Sequence, residues 1–209
     1  MSPAENLSKI ESLAESLESL SAAFNLFIIF VDLCNSTEIK QFCLEEQLPD
    51  SFWIARQKIF LGRTATVVRQ YGGQIIKTIG DEIMGTFSTD TNPADILKCG
   101  IEVFQRFQGL KTYDKGRFKI RAKASLDIGT CYDGSIDDSG RPDPIGTCVD
   151  RCARLNKLAS PGQIIMSKPF KERLGLSTKA IHGIQIIEQS QQLPGLGNTE
   201  FYIIDVGNA

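Results

Sequence analysis

Two aspartates stand where apolar runs end. Phe27-Ile-Ile-Phe-Val-Asp32 is a continuous apolar stretch closed by a carboxylate. Ile79-Gly80-Asp81 places a second carboxylate at a tight break between the runs Ile75-Ile76 and Ile83-Met84. An Asp at the end of a buried strand adds nothing to packing and must be hydrated, paired or bound to a metal. Brought side by side, Asp32 and Asp81 make an all-oxygen site for a hard divalent cation carrying phosphates. Asp81 alone is routine turn chemistry. Lys77 lies four residues before it, and strand alternation puts it on a different part of the sheet surface. Asp143 precedes the Gly146 turn, and Asp150 and Arg154 share one face of a helix. Each has an ordinary explanation, such as a solvated strand lysine or a surface ion pair worth about 0.3–0.5 kcal/mol. Together they outline a polar site.

The elements that position these residues follow from the pattern. Gln74 to Phe87 reads as two strands of a hairpin broken at Gly-Asp. Phe24 to Asp32 is a strand whose unbroken apolar content places it at the centre of a sheet. Asn35-Ser36-Thr37 offers an N-cap for a helix to about Glu46. Phe52 to Tyr71 is a longer helix ended by Gly72-Gly73. Asn92-Pro93 starts another. Phe118 to Thr130 alternates as a long strand, and Cys131 to Pro142 is a Gly- and Asp-rich loop. Thr147 to Leu158 is helical, Gln163 to Ser167 is a short strand, and Ile184 to Glu188 and Glu200 to Val206 are the last strands. Residues 3 to 23 form an amphipathic helix with Leu7, Ile10, Leu13, Leu17 and Leu20 on a narrow stripe. That stripe suits contact with a second copy of the chain. The expectation is an N-terminal helix, residues 1–23, followed by one α+β domain, residues 24–209, with helices packed on one face of a mostly antiparallel sheet.

Composition excludes several classes. A net charge of -2 gives no field for nucleic acid or anionic membranes. No apolar run reaches the roughly 20 residues that span a bilayer, and the N-terminus lacks the regions of a signal peptide. Six cysteines are scattered without a CxxC pair, so reduced, mostly buried thiols in a cytoplasmic protein are expected. His182, the only histidine, is assigned no role.

The stretches FIIFVDLCNST, GGQIIKTIGDEIMGTF and DPIGTCVDRCARLNKLASPGQIIMS, in this order and spacing, resemble the catalytic domain of class III nucleotidyl cyclases. The resemblance runs from about Phe27 to Val206. It implies a ferredoxin-like α+β domain that works as a head-to-tail homodimer, with sites shared across the interface. It also implies that Asp32, Asp81 and the Leu33 carbonyl hold two Mg²⁺ or Mn²⁺ ions. Lys77 and Asp143 match the pair that reads the base in adenylate cyclases. Arg154 matches the arginine that meets charge on the transferring phosphorus. The partner subunit supplies these last three. Lys123 sits near a phosphate-binding position of the family.

Three departures stand out. The family's ribose-positioning Asn is Asp150 here, which can only accept hydrogen bonds when ionised. Arg151 or Arg154 could offset its charge. The C-terminal loop Gln192-Leu-Pro-Gly-Leu-Gly197 holds no cation, and Ile145 stands where an aromatic is usual. With the VDRCAR helix, these are similar to the pyrimidine cyclases of the bacterial Pycsar anti-phage system. That resemblance implies conversion of UTP or CTP to a cyclic monophosphate that activates a separate effector. A soluble adenylate cyclase is the alternative, because Lys77 and Asp143 suit adenine or cytosine better than uracil. A degenerate nucleotide-binding module is the reading from another class, and retention of both aspartates argues against it.

Overall fold

A computed structural model describes residues 23–110, 116–134, 143–175 and 185–206, together with Leu7. The expected N-terminal helix, apart from Leu7, and His182 lie outside the described residues. Strand β1, Phe24–Leu33, is the axis of the molecule. Phe27, Ile29, Val31 and Leu33 point to one side of the sheet and Ile28 and Phe30 to the other, and both sides are covered. That is why its apolar content does not alternate. Full burial of each such side chain stabilises the fold by about 1.5–3 kcal/mol.

Helices α1, Ser36–Glu45, and α2, Ser51–Gln70, lead to the hairpin of β2, Gln74–Ile79, and β3, Glu82–Ser88. Next come α3, Pro93–Gln105, β4, Ala122–Asp133, the short β5, Pro144–Ile145, and α4, Thr147–Leu158. The chain then forms β6, Gln163–Ser167, α5, Lys168–Leu174, β7, Ile186–Leu193, and β8, Gly197–Asp205. The sheet runs β2-β3-β1-β4-β6-β8-β7, with β5 paired to the end of β4. Among the described strands only β4 and β6 are parallel neighbours; the other pairings are antiparallel. The α+β class is therefore as expected.

The placement of helices on one face is not. Phe60, Val67 and Val68 of α2, Ile96 and Leu97 of α3, and Phe170 and Leu174 of α5 cover the Phe27 side. Helix α4 packs on the opposite side, where Cys148 and Cys152 meet Ile28 and Phe30. A central strand apolar on both faces needs cover on both.

Asn92 caps α3 by accepting from the Ala94 N–H at 2.9 Å, with Pro93 at the first turn. Asn35 does not cap α1 through its side chain: it adopts the left-handed conformation, φ 61, which Asn tolerates better than most residues. Strand β4 starts at Ala122 rather than Phe118, although burial already alternates through the segment before it. Helix α5 was not anticipated. Its signal was present in Ser167-Lys168-Pro169, and Ser167 Oγ accepts from the Phe170 N–H at 3.2 Å. Strand β7 extends to Leu193 because β8 pairs with it along its whole length. Among the described residues, no helix is long and apolar enough to cross a membrane.

Candidate active site

The end of β1 and the β2–β3 turn meet where the register requires it. Asp32 lies opposite Glu82 on β3 and opposite Lys123 on β4. Asp81 belongs to the two-residue turn just before Glu82. Gly80 takes φ 66 there, a conformation that favours glycine. Gln57 of α2 holds the turn by donating to the Gly80 carbonyl at 2.9 Å. The result is an open cleft of about 320 Å³ lined by Asp32, Leu33, Asn35, Glu38, Asp81 and Lys123, among others. One wall is the segment just after α4, through Ala159 and Pro161.

Charge in the cleft is incompletely balanced. Lys123 Nζ is 3.4 Å from Asp32 Oδ2. Burial pushes the Asp32 carboxyl above its ordinary range; Lys123 pulls it down and the neighbouring Asp81 pushes it further up. Glu82 is also raised by burial, against the Asn156 amide that donates to it at 2.6 Å. A divalent cation relieves this kind of repulsion between carboxylates. Among the described residues no group of three or more His, Cys, Asp or Glu side chains could hold a metal. The candidate donor set is then the two carboxylates of Asp32 and Asp81 and the Leu33 carbonyl. It fits an ion that takes its remaining ligands from water and substrate phosphates, as Mg²⁺ does. The Leu33 carbonyl accepts from Ser36 Oγ at 3.1 Å. Cys34, also in the lining, has its thiol pushed up to about 11 by burial. It is protonated near neutrality and is a poor nucleophile or ligand.

The structure thus brings together Asp32, Leu33, Asp81 and Lys123. Lys77, Asp143, Asp150 and Arg154 do not line this cleft. Lys77 and Asp143 do find each other, with Nζ to Oδ1 at 2.5 Å, across 66 residues of sequence. A register shift in the β2–β3 pairing between Ile75 and Lys77 helps to set the lysine's position. Asp150 is exposed on α4. Arg154 is half-buried, and its guanidinium borders Gly195 in the β7–β8 turn.

Arg151 is not available to offset Asp150. It makes two 2.8 Å hydrogen bonds to Asp127, a fully buried carboxylate on β4. Of the two arginines expected to offset Asp150, that leaves Arg154. The cysteines are free and buried, as expected. The sequence reading missed Glu82 with its Asn156 partner, and the buried Arg56. Asn156 falls on the α4 face that carries Cys152 and Leu155, which was the available signal.

No family model matches the chain. It is 25% identical over 141 residues to a uridylate cyclase of Rhodovulum sp. (strain MB263). The match covers 62% of this chain and 57% of that protein, so it spans little more than half of the relative. The guanylate cyclase domain of RhGC from Catenaria anguillulae superposes with a TM-score of 0.71 at 16% identity, over 88% of this chain and 97% of that one. The adenylyl cyclase CyaB from P. aeruginosa gives 0.67 at 19% identity, over 90% and 99%. The chain has the fold of a class III nucleotidyl cyclase domain. Within this cyclase fold the two aspartates converge at one end of the central strands, and the Lys77–Asp143 pair lies apart from their cleft.

Proposed function

We propose that the chain is a nucleotidyl cyclase that converts a pyrimidine nucleoside triphosphate, UTP in preference to CTP, to its 3′,5′-cyclic monophosphate and pyrophosphate. The observation that carries this reading is the cleft in which Asp32 and Asp81 converge beside Lys123. When bound by Asp32, Asp81 and the Leu33 carbonyl, two Mg²⁺ or Mn²⁺ ions would activate the ribose 3′-hydroxyl and shield the triphosphate. Lys123 places positive charge where the phosphates enter. The sites are completed in a head-to-tail homodimer. Arg154 of one subunit meets the charge that develops on the α-phosphorus held by the other. Asp150 accepts from a ribose hydroxyl, and Arg154, four residues on, balances its charge.

Lys77 and Asp143 are the base-reading candidates. Their mutual ion pair fits a donor and an acceptor held ready for a polar base edge. Pyrimidine use is supported by the similarity to a uridylate cyclase and by Asp150 in place of the family's Asn. In this reading the product activates a separate effector in bacterial anti-phage defence, in the cytoplasm. A second reading, a soluble adenylate cyclase, is favoured by the Lys77–Asp143 pair itself, because adenine presents the acceptor and donor that such a pair satisfies. The deciding assay incubates the protein with each of the four nucleoside triphosphates, with Mn²⁺ and with Mg²⁺, and identifies cyclic products by mass. Cyclic UMP or CMP is expected. Cyclic AMP as the dominant product would replace the pyrimidine reading, and nucleotide binding without turnover would leave a binding module.

A further inference from the structure

Behind the loop that carries Leu33 lies a second cavity, of about 160 Å³, lined by Cys34, Asn35, Arg56, Gly116, Arg117, Lys119 and Arg121. Among the described lining residues four side chains are cationic and none is a carboxylate; the Arg117 guanidinium stacks on the Phe42 ring at 4.0 Å. The pattern is written in the sequence. Arg117, Lys119 and Arg121 alternate with the buried Phe118, Ile120 and Ala122, and Lys123 continues the series into the carboxylate cleft. Arg56 is different in kind, being only 6% exposed. One of its terminal nitrogens donates to the Cys34 carbonyl at 2.7 Å and to the Lys119 carbonyl at 3.2 Å. Its Nε is buried with no hydrogen-bond partner among the described residues. A buried guanidinium beside three more cations is an arrangement that an anion in the cavity would balance. Cys34 and Asn35 belong to both cavities, so an occupant of this one touches the loop that shapes the other.

We propose that this cavity is a phosphoryl-oxyanion site, distinct from the carboxylate cleft. Its occupant is either a free oxyanion of the pyrophosphate type or the distal phosphates of a nucleotide seated next door. Occupancy fixes the Cys34–Asn35 loop between Arg56 and the metal-binding end of β1. The inference goes beyond the cyclase reading and is read out by binding alone, so absence of turnover on every nucleotide leaves it testable.

The experiment is isothermal titration of the full chain with inorganic pyrophosphate in EDTA, where the carboxylate cleft has no cation to attract phosphate. Saturable binding is expected for the wild type. Lys119→Ala/Arg121→Ala, a pair of exposed positions chosen to spare the fold, weakens it by about tenfold or more through loss of two charged contacts. Lys123→Ala and a remote Arg173→Ala control leave it within about twofold, as expected for charges that do not contact the ion. Binding that survives the double substitution, that disappears with Lys123→Ala, or that is absent from the wild type overturns the proposal. A second arm uses a 3′-deoxynucleoside triphosphate with Mg²⁺, which binds without cyclising. A double variant weakened for both ligands identifies the nucleotide's own phosphates as the occupant. One weakened for pyrophosphate alone identifies a free oxyanion. Either result upholds the site.

Discussion

Asp32 and Asp127 sit on adjacent central strands and face the same side of the sheet, yet their surroundings are opposite. Asp127 is fully buried and saturated. It accepts twice from Arg151, once from Ser167 Oγ at 2.5 Å and once from the Ile128 N–H at 2.7 Å. Burial pushes its carboxyl up while those donors pull it down. Asp32 has a side chain 27% exposed, one lysine at 3.4 Å and the Leu33 N–H as donors, with Asp81 working against its charge. A saturated buried carboxylate holds elements together: here β4, α4 and β6. An under-saturated one at the mouth of a cleft is free to take a ligand.

The largest effect expected from breaking this contrast is on activity. Asp32→Ala or Asp81→Ala is expected to lower the proposed cyclase turnover by on the order of 10²–10³-fold or more, the scale on which single electrostatic contributors act. Steady-state rates with Mn²⁺ measure it, and an unchanged rate would remove these residues from the site. Mixing Asp32→Ala with Arg154→Ala protein restores about a quarter of wild-type activity, because half of randomly mixed C₂ dimers carry one intact site of two. No recovery despite verified mixed dimers would exclude a shared site.

At Asp127 the damage falls on the fold. Arg151→Ala leaves a buried carboxylate without its cation and costs about 3–5 kcal/mol by denaturant unfolding. A cost near zero would show that Ser167 and the backbone suffice.

The contrast sharpens with pH. Asp32 has a raised folded-state pKa, so the native state binds its proton more tightly than the unfolded chain does. Stability from this group is fully present below the unfolded pKa and is lost as pH rises through the folded one. Metal-free Asp32→Asn is therefore more stable than wild type near neutrality, and the gap closes as pH falls toward the ordinary carboxylate range. Thermal unfolding across pH, with and without Mn²⁺, measures it; a wild type more stable than the variant without metal would contradict it. The smallest effect on stability is at the exposed Lys77–Asp143 pair. Lys77→Ala changes unfolding by about 0–1 kcal/mol while altering the preference among nucleotides in the mass assay.

Much of this was legible along the chain. The carboxylates at the ends of Phe27–Asp32 and Ile79–Asp81, the hairpin between them and the capped start of α3 are local matters. Strand period, turn chemistry and a proline at the first helical turn act over a few residues. The three motifs in their order were enough to indicate the cyclase fold. What lay beyond reach was pairing at a distance. Nothing near Arg151 in sequence says that it is spent on Asp127, 24 residues back. Helix α4 covers the second face only because β1 is central, with β3 and β4 at its two edges. Residue types and local spacing supplied the chemical parts and most of the elements. The sheet order and register decided which carboxylate was left open and which was closed, because saturation of a buried charge depends on donors that only folding brings within 3 Å.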